Sequence, residues 1–441
     1  MPAVGGAPCW RDGRTATTTR DDVSTTGGQR TWPTDVTNRR GQQTWPTDVG
    51  GMAVAPIAKN LFDDFLVIGL KSAVTSPVPT LLYCFRTAQG QGGAAVDTNN
   101  VALMEFCFPD VDDEQMLKLH SESFAFTLTH GDGTRTFGFS RRLAQPPGLP
   151  VCLCVLSQRP WFSLFMHMLD ILQLNYNLTK FVPVFINAAH RATLPPPGGS
   201  VLVSPDEAPQ LAGYGSFRLH VPEEERPTGV SFEPLLTSLG AANLLRVLAA
   251  LMREQRLVFV SSRWAHVSSC AHAALTLLYP LQWQHIFIPV LPKSKFSYAS
   301  APMPFVVGVL ARHLPLLQRE AIDPEVIFVD LDTGRISADD AATIEQAQLP
   351  RPLRDELQAR LVQLQRQAKA RSARLDNAAL AEAVLHFMVS LLGPYRQHMR
   401  TSSTAGLAPS RGELHPVRLT LEHRHRGCHP VYERGCRHCV Y

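Results

Sequence analysis

The chain has 441 residues, 45% of them apolar and 18% charged, a globular composition with room for two or three domains and a sizeable core in each. A net charge of +4, partly from arginines near both termini, implies no broad nucleic-acid face. There is no leader of secretory type and no apolar run of the roughly 20 residues a membrane span needs, and the nine scattered cysteines lack disulfide-framework spacing, so a cytosolic, reduced protein is expected.

Residues 1–60 read as a disordered leader, rich in Gly, Thr, Arg and Asp, in which "GQRTWPTDV" (28–36) returns as "GQQTWPTDV" (41–49). Two copies of nine residues cannot build a solenoid; a duplicated leader is favoured over a tandem peptide ligand. Globular patterning begins near Leu61. "FLVIGLK" (65–71) and "TLLYCFRT" (80–87) predict strands, and Pro79 bars a helix between them. "FAFTLTHGDGTRTFGFSRRL" (124–143) alternates on both sides of His130-Gly131-Asp132-Gly133, which predicts a hairpin with glycines where the turn needs positive φ. "VCLCVLS" (151–157) predicts the next strand, and an amphipathic helix follows from Trp161 to about Leu174. These elements make an α+β lobe with an antiparallel sheet over 61–180.

A connecting loop is expected at 181–235, with its Pro/Gly-rich part at 193–209. From 236 to 399 the pattern is that of an α/β lobe: a helix at 239–254, strands at 256–262, 285–291 and 325–332, and an apolar helix at 266–279. Continuous apolar strands alternating with helices predict a mostly parallel sheet covered on both faces. Helices at 353–370 and 377–392 close the lobe, and 400–441 reads as a basic disordered tail.

Motifs for covalent chemistry are not found. There is no G-x-x-x-x-G-K-[ST] phosphate cradle, no G-x-G-x-x-G turn after the strand at 257–262, no G-x-S-x-G elbow and no H-E-x-x-H. Weaker pairs have simpler readings. Asp330 and Asp332 share a face and could hold Mg²⁺, but a strand ending in a polar turn accounts for them. His266 and Cys270, four apart on a helix, have no second ligand pair, so a packed helix is favoured. Cys152 and Cys154 read as small core residues. Cys428, Cys436 and Cys439 resemble half a zinc site without a scaffold. The helix at 353–370, with Leu353, Leu357, Leu361 and Leu364 in one stripe among arginines, reads as a packed surface helix in preference to one lying on an anionic membrane. No cofactor and no metal are therefore expected.

"LTLLYPLQWQHIFIPVLP" (275–292) joins the apolar helix to the strand at 285–291. Pro280 helps to stop the helix, and Trp283 and His285 combine an apolar body with a polar handle. Composition alone leaves packing and recognition open here. The longer segment "CAHAALTLLYPLQWQHIFIPVLPKSKFSYASAPMPFVVGV" (270–309) resembles the central signature of DENN-domain proteins, a YP-x-x-WQH-x-x-IPVLP core followed by AP-x-P-[FY]-x-x-G. "FCFPDVD" (106–112), the 124–142 hairpin, "VLSQRPWFSLFMHMLDIL" (155–172), "ALMREQRLVFVSSRWAHVSSCAHA" (250–273), "EVIFVDLDTG" (325–334) and "LLGPYRQHM" (391–399) continue the likeness in the same order, in wording nearest the connecdenn branch.

The resemblance implies a bilobed fold, with an amino-terminal longin-like lobe and a central α/β lobe. It also implies guanine nucleotide exchange on a Rab-family small GTPase held between the lobes, in endosomal traffic and clathrin-mediated endocytosis and recycling. The chain would be cytoplasmic, with peripheral contact to endosomal or clathrin-coated membranes and no nucleic-acid partner. Exchange makes and breaks no covalent bond, so no catalytic residue is expected. The partner-binding set implied is Phe106, Pro109, Trp283, Gln284, His285, Pro292, Pro302 and Pro304. Residues 400–441 match neither the family's further helical region nor connecdenn tails, and 175–235 looks shortened. The second reading is accordingly a DENN-like adaptor that binds a Rab or its regulator without catalysing exchange.

Overall fold

The computed structural model describes residues 60–394 except 72–76, 87–100, 112–120, 131–132, 146–148, 178–179, 205–210, 212, 224–228, 321 and 339–348. The repeat-bearing leader, the Gly131-Asp132 part of the hairpin turn and the carboxyl-terminal cysteines lie outside the described residues.

The amino-terminal lobe is a five-stranded antiparallel sheet, formed by β1 (Asp64–Lys71), β2 (Val78–Arg86), β3 (Glu122–Thr129), β4 (Arg135–Leu143) and β5 (Val151–Ser157) in the order β2-β1-β5-β4-β3. Alternation of large apolar residues sets the register of the β3–β4 hairpin, with Phe124 opposite Ser140 and Phe126 opposite Gly138. Its turn closes through His130 N–H on the Thr134 carbonyl at 2.9 Å, and Gly133 takes the positive φ that the turn needs, 84°. Helix α1 (Val101–Cys107) precedes the hairpin and α2 (Phe162–Leu174) follows β5. One face of α2 buries Phe165, Met168, Leu169 and Leu172, the 3.6-residue stripe expected of it.

The segment expected to be a connecting loop, 181–235, contains a helix and a small sheet. Helix α3 (Phe181–Arg191) buries Phe181, Val182, Phe185, Ile186 and Ala189, and β6 (Ser200–Val203) pairs antiparallel with β7 (Phe217–His220). Pro183 lies in the first turn of α3, where a missing N–H costs no intrahelical bond.

The central lobe begins with α4 (Glu233–Met252), kinked at Gly240, and α5 (Trp264–Thr276). Its sheet has the order β12-β11-β8-β10-β9, formed by β8 (Leu257–Ser261), β9 (Ile286–Ile288), β10 (Phe305–Leu310), β11 (Ile327–Asp330) and β12 (Arg335–Ser337). Four strands are parallel and β12 is antiparallel at the edge. The chain is therefore α/β and α+β as its pattern predicts, with β10 an unpredicted strand inserted between β8 and β9. A 3-10 segment, Lys293–Ser300, and a short helix α6 (Leu314–Leu317) lead into and out of β10.

Helices α7 (Arg351–Arg371) and α8 (Asn377–Leu392) complete the described chain. The leucine stripe of α7 is buried at Leu357, Leu361 and Leu364, and Gln365 donates to the Leu236 carbonyl at 2.9 Å, so this helix packs on α4 by its apolar face. Contrary to the expectation that no run has the length and apolarity of a membrane span, helix α4 meets both by length and composition; its leucines fill the protein core instead.

Candidate partner-binding site at the lobe junction

The free edge of β3 is covered by α5, and this pairing joins the lobes. An edge strand leaves a row of backbone groups without strand partners. Here the Ser268 hydroxyl accepts from the Ala125 N–H at 2.9 Å and donates to the Ala125 carbonyl at 2.6 Å. One turn further along, His272 donates through Nδ1 to the Ser268 carbonyl at 2.8 Å, which leaves Nε2 to accept from the Thr127 hydroxyl at 3.2 Å. His272 is packed edge-on between Phe162 and Phe287. Burial, helped by the nearby Arg135 charge, pushes its pKa down to about 4 against a smaller opposing effect of the Ser268 hydrogen bond. The imidazole is neutral at physiological pH.

At the far end of this seam Arg135, the first residue of β4, donates to the Trp283 carbonyl. The Trp283 ring is buried, donates to the Ile286 carbonyl at 3.1 Å and meets His285 edge-on with centroids 5.3 Å apart. His285 Nε2 in turn lies 3.1 Å from Glu254 Oε1. Trp283 thus anchors the joint, while the turn around it presents Tyr279, Leu281, Gln282 and Gln284 to solvent.

The near end is ionic. Glu122 accepts from the Ala265 N–H at 2.9 Å and from Arg142 at 2.7 Å. Arg142 also donates to Asp110 at 2.6 Å, and Arg312 reaches the other oxygen of Asp110 at 2.8 Å. Between the two ends lies a shared apolar core. Phe106 stacks on Phe126 at 5.3 Å, and both pack with Trp264, Val290 and Leu310 of the central lobe. Outside this core Ser294 donates to Glu105 at 2.7 Å, with the Lys295 ammonium 3.8 Å from the same carboxylate.

The expected partner-binding residues divide by exposure. Phe106, Pro109, Trp283 and Pro292 are buried in or beside the joint; His285 and Pro304 are half-buried; Gln284 and Pro302 are exposed. Tyr298 and Met303 stand exposed near Pro302 and extend the accessible rim. Sequence reasoning missed Asp110, Glu122, Arg135, Arg142, Ser268, His272 and Arg312, which hold the joint together. Ser268 and His272 carried no signal of their own, because they stand among other polar residues of the same helix, His266, Ser269 and Thr276.

The remaining constellations act as structural ties. Asp330 accepts from the N–H groups of Asp332 and Thr333 at 2.9 and 3.1 Å, closing the polar turn after β11. Asp332 accepts from the Ser261 hydroxyl and the Ser262 N–H, both at 2.6 Å. Burial pushes the Asp332 carboxyl up, but these bonds outweigh it and hold it below the ordinary carboxylate value. His266 bridges the hydroxyls of Ser261 and Ser238 at 3.0 and 2.9 Å, so the group knits the ends of β8 and β11 to α4 and α5. Cys107, Cys152 and Cys154 are buried together in the amino-terminal lobe, and burial pushes the thiols of Cys107 and Cys152 well up, as suits inert core residues. Among the described residues no three His, Cys, Asp or Glu side chains converge as a metal site.

Comparison with known proteins places both lobes. Residues 80–143 match the uDENN domain and residues 148–334 the DENN (AEX-3) domain. Human DENN domain-containing protein 2D is 31% identical over 360 residues, which cover 78% of this chain and 73% of that protein. The chain belongs to the DENN-domain family. This DENN chain is also 33% identical over 361 residues to human DENN domain-containing protein 2B, and 34% identical over 361 residues to mouse DENN domain-containing protein 2C. The matches cover 76% and 77% of the chain, and 31% and 38% of those two relatives, so it spans about a third of their length. The branch supported is that of the DENN domain-containing 2 proteins and not specifically connecdenn, a correction to the wording-based expectation. The motifs around 270–309 form the joint itself, so they report the shared architecture more strongly than the branch.

Proposed function

We propose that this DENN-domain chain promotes GDP release from a Rab-family small GTPase. The observation that carries the reading is the match of both lobes to the uDENN and DENN domains, joined through a buried seam that leaves a mixed apolar and polar rim on its outside. An exchange factor works by binding the nucleotide-poor GTPase better than the nucleotide-bound one, and it can shift that equilibrium only by its differential affinity for the two. A preorganised two-lobed surface suits this work because little binding energy is lost in ordering it. In this reading Tyr279, Leu281, Gln284, Tyr298, Pro302 and Met303 meet the GTPase, and the buried Phe106, Pro109, Trp283 and Pro292 hold the surface in shape. We place the activity in the cytoplasm, at the periphery of endosomal or clathrin-coated membranes, in endocytosis and recycling.

The test is release of fluorescent GDP from a panel of Rab GTPases, with the whole chain as catalyst. Accelerated release from at least one Rab is expected. Binding without acceleration would replace the exchange reading with that of an adaptor. A fluorescently tagged chain that stays diffuse when endosomal and clathrin-coated membranes are marked would refute the location.

A further inference from the structure

The ionic end of the seam is organised around one carboxylate. Glu122 is the first residue of β3, and its side chain is 11% exposed. One oxygen accepts from the N–H of Ala265, the second residue of the 13-residue helix α5; the other accepts from Arg142, its cross-strand neighbour on β4. Arg142 passes the contact to Asp110, which is fully buried, and Arg312 of the central lobe completes it. The amino-terminal lobe contributes Asp110, Glu122 and Arg142, two negative charges and one positive, for a net charge of −1. The central lobe answers with the cation of Arg312 and the positive end of the α5 dipole. The four side chains are charge-balanced only when the lobes are docked.

The same carboxylate also fixes orientation. Ala265 with Glu122, Ser268 with Ala125, and His272 with Thr127 show that α5 runs along β3 in the same direction, and the Glu122 contact stands at the start of that alignment. The exposed turn carrying Tyr279, Leu281 and Gln284 follows α5 directly, so a rotation or slip of the helix start is transmitted to it.

We propose that Glu122 is a positioning residue: its carboxylate sets the pose of α5 on the amino-terminal lobe and, through α5, the pose of the rim that meets the GTPase. The second half of this statement rests on the exchange reading above; the first does not.

The test uses the full chain with Glu122→Gln, which removes the charge and keeps an acceptor. Arg312→Gln is the companion, its partly exposed side chain making it the gentler change. Hydrogen exchange followed by mass spectrometry should show faster exchange in peptides from the first turn of α5 and from 277–285, with protection of β1 and β5 unchanged. In GDP release the half-saturating GTPase concentration should rise about tenfold while the maximal rate stays near the parent value, as for a surface whose competent pose is less populated. Glu122→Asp, which restores the charge, should recover part of the affinity. Unchanged protection of α5 in both Gln variants overturns the positioning role, as does loss of protection throughout both lobes in Arg312→Gln. Loosened α5 with unaltered half-saturation overturns the link to the rim. If the parent chain accelerates no GTPase the exchange reading fails with that link, while the exchange protection still decides whether Glu122 places α5.

Discussion

Trp283 and its neighbours separate packing from recognition one side chain at a time. The ring is 5% exposed and its N–H is satisfied by the Ile286 carbonyl, so truncation removes an anchor of the joint. Trp283→Ala should cost about 3–5 kcal/mol of folding stability, seen as a lower melting temperature and urea midpoint. Leu281→Ala and Gln284→Ala change exposed side chains and should stay within about 0.5 kcal/mol of the parent. Slower GDP release is expected from them without a shift in melting; parent-like release would remove that turn from the proposed surface. His272 gives a second residue-scale prediction. Its folded pKa, about 4, lies below the ordinary 6.5, so the unfolded chain binds its proton more readily. The associated stability is full above pH 6.5 and falls as pH drops toward 4, with about 2 kcal/mol lost by pH 5 for a shift of this size. Urea midpoints at pH 7 and pH 5 measure the loss, and His272→Gln should flatten the difference. An equal pH slope in parent and variant would exclude His272 as its source.

At the scale of elements, two contacts depend on a single side chain each. Ser268→Ala leaves the Ala125 N–H and carbonyl without the hydroxyl that serves both, in a site where Ser268 is 2% exposed. Stranding buried polar groups costs about 1–3 kcal/mol, and fraying should appear as faster hydrogen exchange in β3. Cysteine at 268 has similar volume and weaker hydrogen bonds, so it should fall between serine and alanine. Helix α7 tests the apolar stripe: Leu361 is fully buried, and Leu361→Ala should cost about 2–5 kcal/mol. Gln363→Ala, on the exposed side of the same helix, should be nearly neutral. Parent-like stability for Leu361→Ala would show that α7 does not contribute its buried face to the fold.

At the scale of the whole molecule, the lobes share both a core and a charged seam. One apolar cluster runs from Phe65 and Leu153 of the amino-terminal sheet through α2 and α3 to α4, α5 and Phe287 of the central lobe. A second joins Phe106 and Phe126 to Val290 and Leu310. Lobes that share a core should unfold together, in one transition that coincides when followed by tryptophan fluorescence and by far-ultraviolet circular dichroism. Two separated transitions would mean that the lobes are independent domains in contact. The boundary between them is plain in the sequence pattern, where alternation gives way to continuous apolar strands, but that pattern does not predict their joint stability.

The sequence by itself determined the elements whose signal is local. The β3–β4 hairpin, β5, α2 and α8 follow from alternation, from a short continuous apolar run or from a helical stripe with clear stops, because those signals lie in near neighbours along the chain. Helix α3 had the right spacing, but Pro183 and its short length hid it inside an expected loop. Strand β10 was hidden differently. It follows the prolines at 302 and 304 and contains Gly308, where an added Cβ would lie 2.1 Å from the Pro289 carbonyl, so the glycine answers to a partner 19 positions away. The candidate site shows the same division. The sequence marked 275–292 and the family to which it belongs, while only the tertiary structure decided that Trp283 anchors and Gln284 faces solvent. It alone showed that Glu122, Arg142, Asp110 and Arg312 form one charge-balanced group. Burial and pairing across the seam depend on distances between residues far apart in the chain, and periodicity along the chain has no access to them.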